Sequence, residues 1–127
     1  PNVRLVRMLV NSNIASLLPP ESVQGVFIQY PDPWPKKRHH KRRLIQQDFL
    51  NALATIMVPD AEVHISTDDL DYANWIAEEF LKNPYFISVQ DEIIQKIPSL
   101  EDHIPSWYEA KQTHKGISPN YMLFKRI

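Results

Sequence analysis

The sequence predicts an α/β fold in which a mostly parallel sheet carries flanking helices. Two kinds of segment alternate along the chain. In one kind the apolar residues are nearly continuous or alternate with polar ones, as in strands, and in the other they recur at helical spacing. The resulting order of strand, helix, strand, helix, strand is typical of parallel strands joined by right-handed crossovers. At 127 residues, with 43% hydrophobic and 23% charged residues, the chain has the size and composition of one ordinary globular domain.

The first elements are predicted upstream of Pro31. Residues 3–9 look extended, and residues 11–13 offer a turn or an N-cap for a short helix over 14–18. Residues 23–30 then predict a strand that Pro31 ends. Its nearly continuous apolar character suits a central strand covered on both faces.

The later elements follow from a change of period at Arg43. Apolar residues recur there at helical spacing until Pro59, residues 61–66 alternate as a second strand, and Thr67-Asp68-Asp69 offer a cap for the next helix. Beyond this cap the sequence predicts, in order, a helix from residue 70 to Asn83-Pro84, a strand over 86–89, irregular chain over 91–105, a helix over 107–114 and a strand over 121–127.

Two polar motifs follow strands of this predicted sheet. Pro31-Asp32-Pro33-Trp34 comes after the first strand, and Thr67-Asp68 comes after the second. Ligands of open α/β sheets bind beyond the carboxyl ends of the strands. The topology therefore predicts a binding site at this edge.

The first motif holds a carboxylate between two prolines. The proline rings fix their own φ angles, and Pro33 also disfavours helical angles at Asp32, so the tripeptide forms a stiff elbow beside Trp34. An acid placed rigidly next to an aromatic ring suits recognition of a flat, hydrogen-bonding base. The alternative is that Pro-Asp-Pro does no more than end a strand.

A strongly basic run follows the elbow. The net charge is −1, yet six of the fourteen Lys and Arg residues lie between Lys36 and Arg43, together with His39 and His40. Such a concentration indicates a localised polyanion site, for which a phosphate backbone is the commonest partner. A solvated surface loop is the alternative.

Composition also limits the other functions. The chain has no cysteine, so it has neither a disulfide framework nor a thiolate metal site, which fits a cytoplasmic protein, and its histidines show no ligand spacing, so we expect no metal. No apolar run approaches the roughly 20 residues that span a bilayer. Of its two glycines neither lies in a Gly-rich turn, so a nucleotide-type cofactor would need further residues from outside this sequence.

The run from Pro31 to Arg43, reading PDPWPKKRHHKRR, resembles the signature of the bacterial tRNA (guanine-N7)-methyltransferases. Thr67-Asp68 and Ser106-Trp107-Tyr108-Glu109 match two further family motifs in the right order, although Trp107 stands where the family has a basic residue. Ser12-Asn13 resembles the residues that contact the adenine region of the cofactor. The resemblance covers essentially the whole chain.

This resemblance implies a Rossmann-like class I methyltransferase fold and the cofactor S-adenosylmethionine. The implied reaction is methylation of N7 of guanine 46 in the variable loop of tRNA. Residues 1–127 are expected to be the C-terminal part of a single methyltransferase domain, without its N-terminal cofactor-binding strands. The implied roles are a catalytic and cofactor-side acid at Asp32, a cofactor contact at Asn13, substrate contacts at Lys36, Asp68, Ser106, Trp107, Tyr108 and Glu109, and RNA contacts at Arg38, His39, His40, Lys41, Arg42 and Arg43.

The chemistry of the reaction agrees with a carboxylate at the site. Guanine N7 carries an in-plane lone pair and no proton, so transfer mainly needs positioning of the two reactants. Positive charge develops on the purine, and Asp32 or Asp68 would stabilise it. Two alternatives stay open: a tRNA-binding module without catalysis, and a partner subunit derived from the same fold. Asp68 has a second interpretation, as a helix cap.

Overall fold

A computed structural model describes residues 2–98 and 100–127. Within these residues it contains four α-helices, one 3-10 helix and four strands. In chain order they are α1 (Ile14–Leu17), β1 (Val23–Gln29), the 3-10 helix (Lys37–Arg42), α2 (Gln47–Ile56), β2 (Met57–Thr67), α3 (Leu70–Lys82), β3 (Phe86–Ser88), α4 (Trp107–His114) and β4 (Asn120–Arg126). None of the described helices is long and apolar enough to cross a membrane.

The four strands form one sheet in the order β1-β2-β4-β3. β1 is parallel to β2, and β4 is antiparallel to both β2 and β3. The predicted α/β class is confirmed: β1, β2 and β3 run in the same direction, although β1 and β2 form the one parallel pair among the described strands. The sequence pattern did not reveal the reversed direction of β4. Asn120, the first residue of β4, pairs with Thr67 at the carboxyl end of β2, so β4 must run back along the sheet from that edge.

β2 is longer than the sequence predicts, because it begins directly where α2 ends. Pro59 and Asp60, expected to end a helix, lie inside the strand. Pairing with β1 shifts from Val23 opposite Met57 to Gly25 opposite Glu62, so the intervening residues form a bulge, and Asp60 adopts a φ of 70° there. A bulge accommodates a proline because the ladder is already interrupted at that point.

α2 and α3 cover one face of the sheet and bury a single apolar core with it. Their amphipathic spacing places Phe49, Leu50 and Leu53 of α2, and Ile76 and Phe80 of α3, inside. The sheet contributes Val63 and Ile65 of β2 and Met122 and Phe124 of β4 to this core. The rings of Phe80 and Phe124 are stacked with their centroids 4.0 Å apart.

β1 is an edge strand of this sheet, and the expectation of a central strand covered on both faces is not met in the part of the chain that the structure describes. Val26 and Ile28 pack against the core, whereas the intervening Phe27 is 58% exposed. The ring of Phe27 stacks on His64 of β2 at 4.6 Å. Residues 2–10, which look extended in the sequence, belong to no helix or strand.

Candidate active site

The chain turns sharply after β1 through residues 30–34, which we call the Asp32 elbow. Tyr30 and Trp34 adopt φ angles of 52° and 41°, in the left-handed region that large side chains rarely occupy. Each such residue costs about 1 kcal/mol or more and persists only where surrounding contacts hold it. The backbone N–H of Tyr30 donates to the carbonyl of Ser66 at 2.8 Å and ties the start of the elbow to β2.

The carboxylate of Asp32 is exposed at the tip of this elbow. Among the residues that the structure describes, it accepts no hydrogen bond and forms no ion pair, so it is available to a ligand. It lies between two clefts that share it as a wall. The tyrosine cleft is lined by Gln29, Tyr30, Asp32, Pro33, Ser106 and Tyr108, and the aliphatic cleft by Leu9, Val10, Pro31, Asp32, Trp34, Arg42 and Leu44.

Glu109 of α4 is a buried carboxylate, 3% exposed, behind the tyrosine cleft. Its Oε1 accepts hydrogen bonds from the hydroxyls of Tyr30 at 2.6 Å and Tyr121 at 2.9 Å. Its Oε2 lies 2.7 Å from Nε2 of His103. These contacts join β1, β4, α4 and the segment before α4, and they occupy both carboxylate oxygens.

Glu109 and its two tyrosines perturb one another's ionisation. Burial alone would raise the pKa of Glu109, but the hydrogen bonds from Tyr30, His103 and Tyr121 outweigh it and hold that pKa below its usual range. Burial, followed by the hydrogen bond to Glu109, raises the pKa of both tyrosines well above the ordinary value. The carboxylate is therefore ionised and the tyrosines neutral at physiological pH.

Asp68 lies at the carboxyl end of β2 and contacts α4. Its Oδ2 accepts hydrogen bonds from the hydroxyl of Tyr108 at 2.8 Å and from Nε2 of Gln112 at 3.0 Å. The cap of α3 is Asp69, whose side chain accepts a hydrogen bond from the N–H of Tyr72 at 2.8 Å. Of the two interpretations of Asp68, the structure excludes the helix cap.

The basic run is a 3-10 helix, not the loop that the sequence suggests. Its cationic side chains at Arg38, Lys41 and Arg42 are exposed, while His39 and His40 are half-buried. The guanidinium of Arg42 lies over the ring of Trp34 at 5.1 Å, and the ring of His39 meets the edge of Trp34 at 5.6 Å. The helix thus presents exposed cations directly beside the Asp32 elbow.

Arg43, the last residue of the run, is buried inside the fold. Its side chain is 1% exposed, its Nε donates to the carbonyl of Pro33 at 2.8 Å, and its guanidinium pairs with Asp71 at 2.8 Å. The rings of Tyr72 and Trp75 each lie 4.9 Å from the guanidinium carbon. The structure therefore separates Arg43 from the exposed cations with which the sequence groups it.

The remaining substrate residues of the predicted set surround the start of α4. Ser106 is the N-cap, and its hydroxyl oxygen accepts a hydrogen bond from the N–H of Glu109 at 3.1 Å. Trp107 is 78% exposed, and the ammonium of Lys111 lies 5.0 Å from its ring centroid. A cation thus lies beside Trp107, the position at which the resemblance predicts a basic residue.

Two predicted residues lie apart from the clefts. Lys36 is exposed directly before the 3-10 helix. Asn13 is exposed before α1, its N–H donates to the side-chain oxygen of Asn11 at 2.8 Å, and it lines neither the tyrosine cleft nor the aliphatic cleft.

Sequence reasoning missed four residues that build the site. By sequence, Tyr30 falls in the first predicted strand, His103 in the irregular chain over 91–105, Tyr121 in the last predicted strand and Gln112 in the helix over 107–114, and none of the four is predicted to act at the site. The position of Tyr30 directly before Pro-Asp-Pro, and the spacing of four residues between Tyr108 and Gln112, are signals that could have identified two of them. The other two are brought in by the tertiary fold alone.

The aliphatic cleft has side chains that could hold a cofactor. The aliphatic cleft combines apolar walls with the carboxylate of Asp32 and the side chain of Arg42. The carboxylate could pair with a cationic sulfonium whose hydrocarbon groups contact the apolar walls. Within residues 2–98 and 100–127 no group of three or more His, Cys, Asp or Glu side chains could hold a metal ion.

Comparison with known proteins places this sequence in a family. A family model described as "Putative methyltransferase" matches residues 1–120. The chain is 37% identical over 114 residues to a tRNA (guanine-N(7)-)-methyltransferase of Cereibacter sphaeroides, covering 90% of this chain and 45% of that protein. It is 49% identical over 77 residues to one of Corynebacterium diphtheriae, covering 61% of this chain and 30% of that protein.

Among solved structures, a protein of Thermus thermophilus described as a DNA modification methylase is similar at a TM-score of 0.49 and 15% identity, over 91% of this chain and 49% of that one. The chain spans half or less of the length of the curated relatives it matches.

Proposed function

This chain belongs to that methyltransferase family, and we propose that the protein to which it contributes methylates N7 of a guanine in tRNA. The observation that carries the proposal is the exposed Asp32 carboxylate, which forms no hydrogen bond with the described residues and is held between two clefts and beside a cationic helix. The names of the curated relatives support the same reaction. The finer assignment, guanine 46 of the variable loop, comes from the resemblance of the sequence motifs.

The guanine would occupy the tyrosine cleft. Tyr30 and Tyr108 line it with their ring centroids 5.0 Å apart at an interplanar angle of 59°, which offers aromatic surface to a planar base. Asp32 at the rim would face the purine edge. Because positive charge develops on the purine as N7 acquires the methyl group, a carboxylate fixed at this rim stabilises the transition state more than the ground state.

The cofactor implied by the family is S-adenosylmethionine, and it supplies the methyl group to be transferred. The residues of this chain that would hold it are those of the aliphatic cleft, with Asp32 facing the sulfonium charge. Asn13, which lies outside this cleft, would contact the adenine region of the cofactor, as the resemblance of Ser12-Asn13 implies.

The exposed cations of the 3-10 helix would bind the phosphate backbone of the tRNA. Arg38, Lys41 and Arg42 are exposed, and His39 and His40 would add hydrogen bonds. Lys36, Asp68 and residues 106–108 would complete the contacts to the substrate, whereas Glu109 is buried behind the tyrosine cleft. A tRNA substrate also implies a cytoplasmic location, and we propose that residues 1–127 form part of a single methyltransferase domain.

The test is Asp32→Asn in the protein at its full natural length. Loss of the carboxylate should lower methyl transfer about 100- to 1000-fold, the usual effect of removing one electrostatic group from a transition state. Binding of tRNA should not change, because the exposed cations are intact. Asp60→Asn is the matched control: Asp60 is an exposed carboxylate whose left-handed φ asparagine also tolerates, and it lies in the β2 bulge.

The outcome distinguishes the enzyme from the alternatives. Unchanged methyl transfer in Asp32→Asn would contradict the role of Asp32. Tight tRNA binding without any transfer in the unmodified protein would instead support an RNA-binding module, and the absence of both activities would support a partner subunit.

A further inference from the structure

The Asp32 elbow combines the Asp32 carboxylate with strained backbone angles that need support from neighbouring contacts. Tyr30 and Trp34 flank it with left-handed φ angles of 52° and 41°. Such conformations persist at functional sites only where neighbouring contacts over-determine them. Two buried charged side chains make those contacts, one on each side of Asp32.

The first contact holds the start of the elbow. The hydroxyl of Tyr30 donates to Oε1 of Glu109 at 2.6 Å, a short hydrogen bond to an ionised acceptor. Tyr121 and His103 hold Glu109 in place, so the hydrogen bond to Glu109 fixes the orientation of the Tyr30 ring. Both carboxylate oxygens are engaged and the residue is 3% exposed, which leaves no group of Glu109 facing a substrate.

The second contact holds the end of the elbow. Nε of Arg43 donates to the carbonyl of Pro33 at 2.8 Å, directly after Asp32. The guanidinium carbon lies 4.9 Å from the ring centroids of both Tyr72 and Trp75, and one terminal nitrogen pairs with the exposed Asp71. This arrangement leaves the charge of Arg43 turned into the fold and paired.

We propose that Glu109 and Arg43 are positioning residues that fix the Asp32 elbow from its two sides, and that Arg43 is not part of the RNA-binding surface. The catalytic consequence rests on the proposed function, in which Asp32 faces the reacting guanine. The mechanical consequence does not, because it concerns the conformation of residues 30–34 alone.

The conformation is tested by fluorine NMR of the full-length protein labelled with 5-fluorotryptophan, with the Trp34 signal assigned by its loss in Trp34→Phe. Arg43→Lys and Glu109→Gln should each broaden or split the Trp34 signal. Two matched controls should leave it sharp. Arg126→Lys changes another arginine that donates to a backbone carbonyl, at Ala54, and Glu79→Gln changes another buried glutamate, hydrogen-bonded to Gln47.

Asp71→Asn provides a second route if the Arg43 or Glu109 variants do not fold. This substitution neutralises the exposed partner of Arg43 and so removes the ion pair without changing a buried residue. It should also broaden the Trp34 signal. A sharp, unshifted Trp34 signal in every folded variant would overturn the proposed clamp.

The RNA part of the proposal is tested by the salt dependence of tRNA binding. Arg42→Gln should lower the slope of log affinity against log salt by about one unit, whereas Arg43→Gln should leave it unchanged. An equal loss of slope in both variants would show that Arg43 contributes to RNA binding and would contradict this part of the proposal.

Kinetics separate this inference from the proposed function. Misplacement of Asp32 in Arg43→Lys and Glu109→Gln should lower kcat up to about 100-fold with little change in KM for tRNA. If Asp32→Asn transfers methyl groups normally, the proposed function fails, while a broadened Trp34 signal in the clamp variants still supports the clamp. A raised KM with unchanged kcat would contradict the positioning role.

Discussion

The hydroxyl of Tyr108 donates to Oδ2 of Asp68 at 2.8 Å and joins residues that are 40 positions apart. The bond connects the first turn of α4 to the carboxyl end of β2. Because the ring of Tyr108 also packs against the ring of Tyr30, with centroids 5.0 Å apart, Asp68 helps to fix the aromatic wall of the tyrosine cleft. The hydrogen bond to Asp68, followed by burial, raises the pKa of Tyr108, which keeps the hydroxyl protonated as a donor.

The adjacent aspartates Asp68 and Asp69 should differ in their effect on stability. Asp69→Ala removes the N-cap of α3 and should lower the free energy of unfolding by about 1 kcal/mol. Asp68→Ala should cost less, because its partners Tyr108 and Gln112 are exposed and partly exposed, so that water can replace the lost hydrogen bonds. Urea unfolding of the two variants measures the difference, and a larger loss in Asp68→Ala would contradict the assignment of the cap.

Stability should fall at alkaline pH because of Tyr30 and Tyr121. Burial and the hydrogen bond to Glu109 raise the pKa of both tyrosines above the unfolded value. A raised folded pKa gives a stabilisation that is complete below about pH 10 and is lost as the pH rises beyond it, since the unfolded tyrosines then ionise. Unfolding free energies measured between pH 8 and 11 should show this decline, and the double variant Tyr30→Phe, Tyr121→Phe should show a smaller one.

Glu109 should make the protein sensitive to acid. Burial raises the pKa of Glu109, but the hydrogen bonds from Tyr30, His103 and Tyr121 together lower it by more than burial raises it. The folded pKa therefore lies below the unfolded value. The resulting stabilisation is present above about pH 4.3 and disappears as the pH falls through the lower folded pKa. Free energies of unfolding measured against pH should depend less on acid in Glu109→Gln than in the unmodified protein. Glu79→Gln, which retains Glu109, should keep the full dependence. Equally steep curves for the unmodified protein and both variants would exclude Glu109 as the cause.

The core should depend strongly on Phe124 and weakly on Phe27. Phe124 is fully buried and stacked on Phe80, so Phe124→Ala should lower the free energy of unfolding by about 3–5 kcal/mol. Phe27→Ala removes a ring that is 58% exposed and stacked on His64, and should cost about 1 kcal/mol or less. Chemical denaturation compares them, and similar losses would show that the outer face of β1 is packed in solution.

Lys111 should contribute to tRNA binding in place of the basic residue that the family has at position 107. Its ammonium lies over the exposed ring of Trp107, at the edge of the proposed substrate site. Lys111→Gln should lower the salt slope of tRNA binding by about one unit. Lys115→Gln removes an exposed lysine at the other end of α4 and should have no such effect; matching slopes for the two variants would contradict a specific role for Lys111.

Local sequence signals predicted the elements whose formation depends on nearby residues. α4 occupies the 107–114 range that the sequence predicts. α3 begins after the Thr67–Asp69 cap because an aspartate side chain can satisfy the free N–H groups of the first turn. The predictions were less successful where long-range pairing decides the conformation. Pro59 reads as a helix end, yet pairing with β1 draws it into the bulge of β2.

The sequence by itself determined the α/β class, the family signature and the position of Asp32 after a strand, because periodicity, proline geometry and motif spacing are written in neighbouring residues. The tertiary structure alone decided which charged residues are available at the surface. Arg43 and Glu109 lie in motifs that predict contacts with RNA and substrate, but both are buried by packing against residues far away in the chain. A local pattern specifies that a residue carries a charge, whereas only the packed fold specifies which partner that charge faces.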